Sequence, residues 1–190
     1  MPAPIKAELV AHSSEWGNLA REEITRLAAA LGPNVVAIHH IGSTAVPGIC
    51  AKPILDLMPQ VSALVELDAA RPIFERLRYE WWGEYGIAGR RYCTLNDSAT
   101  GRRMVQMHCF ETGNTEIERH LAFRDYLRSQ PEVAAAYDRE KRRCRDLHPD
   151  DSHAYTDAKC AWIESVMPLA LSDYRRKLQT SAVRERSDFT

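Results

Sequence analysis

The sequence predicts an α/β fold of the mixed, α+β kind: a small mixed β-sheet with helices packed on it and a helical C-terminal part. Three observations carry this. The β-branched run Val35-Val36-Ala37-Ile38 leads through Gly42-Ser43-Thr44 and Val46-Pro47-Gly48 to a second apolar run, Ile54-Leu55-Asp56-Leu57, which reads as strand, turns, strand. Residues 90–95 and the alternating stretch 104–110 read as further strands. From about residue 115 onward three helical stretches follow, and the order αββ(α)βββ then three helices is that of a mixed sheet covered by helices.

In chain order, Ser13 or Ser14 caps a first helix whose apolar positions Trp16, Leu19, Ala20, Ile24, Leu27 and Leu31 recur at three- and four-residue spacing. Gly32-Pro33-Asn34 ends it. Residues 64–77 read as a second helix in which Pro72 implies a late start or a kink. Tyr79-Glu80-Trp81-Trp82 is aromatic and strand-like, and Gly83-Glu84-Tyr85-Gly86 breaks it. On the strand over 104–110, Gln106 and His108 share one face and Val105, Met107 and Cys109 the other. The last three helices are expected over about 115–127, from Pro131 to about 147, and from about 150 to about 169. This gives one domain over residues 1–170, its helical part spanning about 115–170, and a polar tail or frayed helix over 171–190.

Composition narrows the function classes. A chain of 190 residues with 45% hydrophobic and 27% charged residues is long enough for one substantial core. A formal net charge of -1 gives no global attraction to nucleic acid or anionic lipid, so anion binding has to be local. Met1 to Lys6 lacks a following apolar region, so no signal peptide is expected, and no run is long enough to span a bilayer. Five cysteines, an odd number with no C-x-x-C pair, predict reduced thiols in a cytoplasmic protein rather than a disulfide scaffold or zinc ribbon.

The chemistry concentrates at the strand-turn-strand. Gly42, Ser43 and Thr44 form a small-residue turn whose backbone N–H groups and hydroxyls suit a phosphate, although Ser and Thr also favour turns for local reasons. Asp56, between Leu55 and Leu57, is costly to bury unless a metal ion or Lys52 compensates it. His120, Arg124 and Arg128 stand four apart on one helix line, placed to grip a phosphate or to pair with Asp138 or Glu140. Arg90 and Arg91, after a glycine-flanked loop, are placed to close over a ligand or simply to be solvated. The run Arg139, Lys141, Arg142, Arg143 and Arg145, with interleaved acids, reads as a solvated helix surface. Tyr155, Lys159 and Trp162 share a helix face.

The stretch from His40 to Gly48, with Lys52-Pro53-Ile54-Leu55-Asp56, resembles the signature of the GrpB family, itself similar to a minimal form of the nucleotidyltransferase superfamily. The resemblance continues through residues 119–128 and 154–159, covering the chain from about residue 12 to 170. It implies a sheet of the nucleotidyltransferase type and transfer of a nucleoside monophosphate from a nucleoside triphosphate to a small-molecule acceptor. In that superfamily a Gly-Ser turn holds phosphate, and two carboxylates two residues apart hold Mg²⁺. Gly42-Ser43 matches the turn and Asp56 one carboxylate, but Ile54 stands where the second would be. Glu84 or His108 is then the candidate to complete the metal site, His108 favouring Mn²⁺ over Mg²⁺. Many family members resemble His-x-His where this chain has Gln106-Met107-His108, which weakens a histidine-rich site; a core histidine is the other reading of His108. Lys52, Arg124 and Arg128 are assigned to offset phosphate charge, and Lys159, which ends a matching motif, joins them. The alternative is a non-catalytic nucleotide- or coenzyme A-related binding module with a degenerate metal site, since the domain also occurs fused to dephospho-coenzyme A kinase. The expected partners are a small molecule or nucleotide, not a membrane, with nucleic acid disfavoured by the charge.

Overall fold

The structure, a computed structural model, describes residues 4–187 and their side chains through residue 181. Its elements are α1 (Glu15–Leu31), β1 (Val35–Ile41), β2 (Leu55–Val61), α2 (Leu64–Ala69), α3 (Arg71–Arg76), β3 (Glu80–Trp81), β4 (Arg90–Asn96), β5 (Arg103–Glu111), α4 (Thr115–Ser129), α5 (Pro131–Leu147) and α6 (Ser152–Ser187). The sheet has the order β1-β2-β5-β4-β3, and the β2–β5 pair is parallel while the others are antiparallel. The mixed α/β architecture expected from the sequence is therefore present.

Strand alternation divides the sheet into two faces. Leu55, Leu57 and Val61 of β2, Cys93 and Leu95 of β4, and Val105, Met107 and Cys109 of β5 point to one side. They pack there with Trp16, Ala20, Leu27 and Leu31 of α1 and Phe74 of α3 in the main core. The other face has two halves. Ile41, Met58 and Phe110 lie beneath Ile117 and Leu121 of α4. The rest of that face carries Asp56, Gln106 and His108, in register on adjacent strands with Thr94 and Tyr92 of β4. A sheet face whose end is polar but roofed by helices is where the site forms.

Two helices depart from expectation. The single helix over 64–77 is two, α2 and α3, meeting at Ala70. Pro72 has no N–H for the helix ladder and its ring clashes with a preceding carbonyl, so it opens a new helix, where proline fits. The last helix does not stop near residue 169 but runs through Pro168 to Ser187. Packing overrides the proline: Met167 and Ala170 are buried, Tyr174 packs onto the Ile41–Phe110 cluster, and Arg175 forms a two-pronged pair with Glu118 of α4 at 2.8 Å. Of the expected polar tail, 171–187 thus continues α6, and 188–190, like 1–3, lie outside the described residues. All five cysteines are free thiols, four of them buried. Among the described residues no helix is long and apolar enough to cross a membrane.

Candidate functional site

The floor is the turn between β1 and β2. Antiparallel pairing sets Ile41 opposite Asp56, so the chain leaves β1 directly beside that carboxylate. Gly42 makes the turn at φ 69°, ψ -170°, a region essentially reserved for glycine. A Cβ there would also lie 2.3 Å from Oδ2 of Asp56. Ser43–Ala45 then form one 3₁₀ turn, with N–H of Ala45 donating to the Gly42 carbonyl at 3.2 Å. The Thr44 hydroxyl is buried and spent on Nε2 of His40 at 2.9 Å, so Thr44 serves the turn rather than a ligand. Burial takes the His40 imidazole down to about 4, leaving it neutral. Ser43, half-buried, lines the same chamber as Tyr137 of α5 and is the hydroxyl left facing the cavity.

The back wall comes from β5. Gln106 stands beside Asp56 in the parallel register, and His108 follows two residues on. The Arg90 guanidinium, which can only donate, reaches Nδ1 of His108 at 3.3 Å. That contact requires a lone pair on Nδ1 and so places a ring proton on Nε2, which lies 3.8 Å from Oδ1 of Asp56. In that tautomer the N–H of His108 faces the Asp56 carboxylate. His120 of α4 has the opposite arrangement. Its Nδ1 donates to the Glu116 carbonyl at 2.7 Å, which leaves Nε2 bare. Burial, then the neighbouring His108, takes His120 down to about 4, so it is neutral at physiological pH.

The roof is α6 together with Lys52. Tyr155 is 1% exposed, and two ammonium groups stand over its ring, Lys52 at 5.6 Å and Lys159 at 4.2 Å from the centroid. Burial, followed by repulsion from Lys52 and Lys141, lowers Lys159 to about 7. Lys52 is also lowered, by burial first, with Asp56 pulling the other way. Among the described residues neither lysine has a carboxylate within 4 Å, so the expected alternative of an Asp56–Lys52 ion pair is not made.

These elements enclose a cavity of about 230 Å³ lined by Gly42, Ser43, Lys52, Asp56, His108, His120 and Lys159, among others. It continues past Ser43 and Lys159 into a chamber of about 320 Å³ with an apolar wall of Val46, Phe123, Leu127, Tyr137 and Ile163 and a charged rim that includes Glu116, Arg119, Arg124 and Glu164. The sequence-predicted residues Gly42, Ser43, Lys52, Asp56, His108, His120 and Lys159 are thus brought together.

Others are not. Arg124 donates to the His40 carbonyl at 3.1 Å and pairs with Asp125 at 2.7 Å; Arg128 donates to the Ala45 carbonyl at 2.7 Å. The two arginines hold the backbone on either side of the turn, and Arg124 also lines the chamber beside Ser43. Arg91 points to the opposite sheet face and pairs with Asp68 of α2 at 2.5 Å, because residues adjacent on a strand alternate faces. Glu84 is exposed, accepts from N–H of Gly89 at 2.7 Å and lines none of these cavities. Of the two residues expected to complete the site at Asp56, His108 stands beside it and Glu84 does not, and among the described residues no group of three His, Cys, Asp or Glu side chains is disposed to hold a metal ion.

One residue escaped sequence reading. Lys141, assigned to a solvated run, is 1% exposed. Its Nζ donates to the Cys50 carbonyl while Asp138 accepts from N–H of Cys50 at 2.7 Å, tying the segment after the turn to α5. The signal was present: Ala134, Tyr137, Lys141 and Cys144 recur at three- and four-residue spacing, which is the buried stripe of α5.

A mixed sheet whose strand-turn-strand corner brings a carboxylate and two ammonium groups to one cleft defines the protein as a mixed α/β one. The chain belongs to the GrpB family, whose model, described as GrpB protein, matches residues 6–168. It is similar to UPF0157 protein YqkA of Bacillus subtilis, 38% identical over 160 residues, covering 84% of this chain but only 46% of that protein's length. The crystal structure of conserved protein GrpB from Enterococcus faecalis superposes with a TM-score of 0.81 at 36% identity, covering 88% of this chain and 99% of that one. A Cid1 poly(U) polymerase structure overlaps at a TM-score of 0.49 and 13% identity, over 70% of this chain and 45% of that one, and nothing about the site is carried over from it.

Proposed function

We propose that the protein binds a nucleoside triphosphate in this cleft and transfers its nucleoside monophosphate to a small-molecule acceptor. The observation that carries the reading is the pair of ammonium groups on Tyr155, which repel each other and, among the described residues, have no carboxylate within 4 Å, Asp56 acting on them only from further off. Desolvated like charges cost free energy, and a polyphosphate relieves both the desolvation and the repulsion. Ser43 and the backbone of its turn are the natural donors to a phosphate on the other side of the cavity. The apolar wall of the chamber beside Ser43 suits the nucleoside.

A single Mg²⁺ fits the donor set. This ion is commonly held by one carboxylate with substrate oxygens and water, and Gly42 leaves Oδ2 of Asp56 uncovered where any other residue would sit against it. When bound it neutralises charge on the phosphates. A second ion lacks a charged ligand, because Ile54 is apolar and buried and Gln106 is neutral. In the transfer, an acceptor oxygen forms a bond to the α-phosphorus, the bond to the bridging oxygen breaks, and pyrophosphate leaves with the electron pair. Nε2 of His120, bare and facing the cavity, takes the acceptor's proton.

The lone carboxylate favours one second reading, a binding module for a nucleotide or coenzyme A-related molecule without transfer. Thermal-shift and calorimetric titrations with nucleoside triphosphates and coenzyme A, with and without Mg²⁺, test binding. Lys159→Met is expected to weaken triphosphate on the order of tenfold or more. Pyrophosphate release separates enzyme from binder, and no stabilisation by any nucleotide contradicts both.

A further inference from the structure

Beyond Lys52 and His108, the cavity at Asp56 opens into another chamber, of about 290 Å³, sharing Lys52, Gln106, His108 and Thr156 with it. Its charge is unbalanced. Lys52, Arg90 and Arg103 line it, against one carboxylate, Asp157, at an exposed position. Arg90 is 6% exposed, yet its guanidinium bonds only neutral groups: the Glu84 carbonyl at 3.1 Å, the Tyr85 carbonyl and Nδ1 of His108. Arg103 donates to the Asn96 side-chain oxygen at 3.3 Å. Among the described residues none of the three cations has a carboxylate within 4 Å. Burying a guanidinium without a counter-charge is costly, so an anion is the missing component.

The wall opposite is built with care. Tyr85 stacks on Tyr92 at 4.9 Å and 14°, and Arg90 lies over both rings, 5.7 and 5.0 Å from their centroids. Tyr85 sits at φ 46°, a left-handed conformation that costs a non-glycine residue about 1 kcal/mol or more and is held by this stack. The enclosed volume suits a small molecule at the lower end of ligand pockets rather than a nucleic-acid strand.

We propose that this chamber binds a small molecule bearing a phosphate or carboxylate group, gripped by Lys52, Arg90 and Arg103, and that this molecule is the acceptor, its hydroxyl reaching the cavity at Asp56. The anion site stands on the charge imbalance alone; its role as acceptor site rests on the nucleotide reading above. Guanidinium forks match both phosphate and carboxylate.

The test is calorimetric titration of the full chain with inorganic phosphate and, separately, with malonate, each with and without saturating ATP and Mg²⁺. At least one anion is expected to bind in the presence of ATP, and Arg103→Met to weaken it about tenfold or more, with Arg103→Lys in between. Melting curves establish that both variants are folded. Unchanged anion affinity in folded Arg103→Met overturns the proposal. So does complete displacement of the anion by ATP, or an oligoribonucleotide that displaces it and binds more tightly. Arg103-dependent anion binding in a protein that binds no ATP upholds the anion chamber while removing the nucleotide reading and with it the acceptor role.

Discussion

Gly42 and Asp56 are packed so closely that a Cβ on the glycine would lie 2.3 Å from Oδ2 and 2.9 Å from the Cβ of the aspartate. Two costs coincide at this position, the clash and a backbone conformation closed to side chains. Gly42→Ala is expected to lose on the order of 1–3 kcal/mol of stability in denaturant unfolding. Combining it with Asp56→Ala removes the approach to Oδ2 but keeps the one to Cβ, so it should recover part of the clash and none of the backbone cost, leaving the double variant less destabilised than the sum of the singles.

Anion affinity should depend on pH through Lys159. Its pKa falls from 10.5 free to about 7 in the fold, so above pH 7 the folded protein holds fewer protons than the unfolded chain. Without ligand, the stability cost of the charged lysine is therefore complete below pH 7 and is relieved as pH rises toward 10.5. A bound anion favours the ammonium and reverses that preference. Triphosphate affinity should fall as pH rises from 7 to 8, by up to about tenfold per unit, and binding at pH 7.5 should take up protons. Calorimetry in buffers of different ionisation enthalpy reads that uptake directly. A flat profile in which Lys159→Met behaves as the wild type would remove Lys159 from the site.

Arg124 and Arg128 should behave as braces. Arg128→Met removes a 2.7 Å charge-assisted bond to the Ala45 carbonyl and is expected to cost about 1 kcal/mol of stability. Triphosphate affinity should change less than threefold. A loss as large as that of Lys159→Met, in a folded variant, would return these arginines to the role of phosphate ligands.

Much of the fold was legible because periodicity is a local property. The alternation of residues 104–110 put Gln106 and His108 on one face, and they line the cavity together. The Gly-Ser-Thr turn and the lone carboxylate on β2 were readable for the same reason, as was the absence of a partner at Ile54. What was not legible depended on tertiary contacts. Helical spacing aligned His120, Arg124 and Arg128, but only the position of β1 decides that His120 enters the cavity while the arginines find backbone carbonyls. The run from Arg139 to Arg145 hid a buried residue because charge density outweighed spacing in the reading. Lys141→Ala leaves the Cys50 carbonyl without its donor, while Asp138 keeps Arg142 at 3.0 Å, and is expected to cost about 1–3 kcal/mol. Equilibrium unfolding measures it.

The account rests most heavily on Asp56 as the one carboxylate that links metal to phosphate. Because Asp56 forms no contact pair with Lys52, Asp56→Asn should fold and melt within a few degrees of the wild type. The decisive measurement is ATP affinity with and without Mg²⁺ on both proteins. Mg²⁺ is expected to strengthen ATP binding to the wild type, and that dependence should vanish in Asp56→Asn. A folded Asp56→Asn protein that binds ATP with its Mg²⁺ dependence intact would contradict the account.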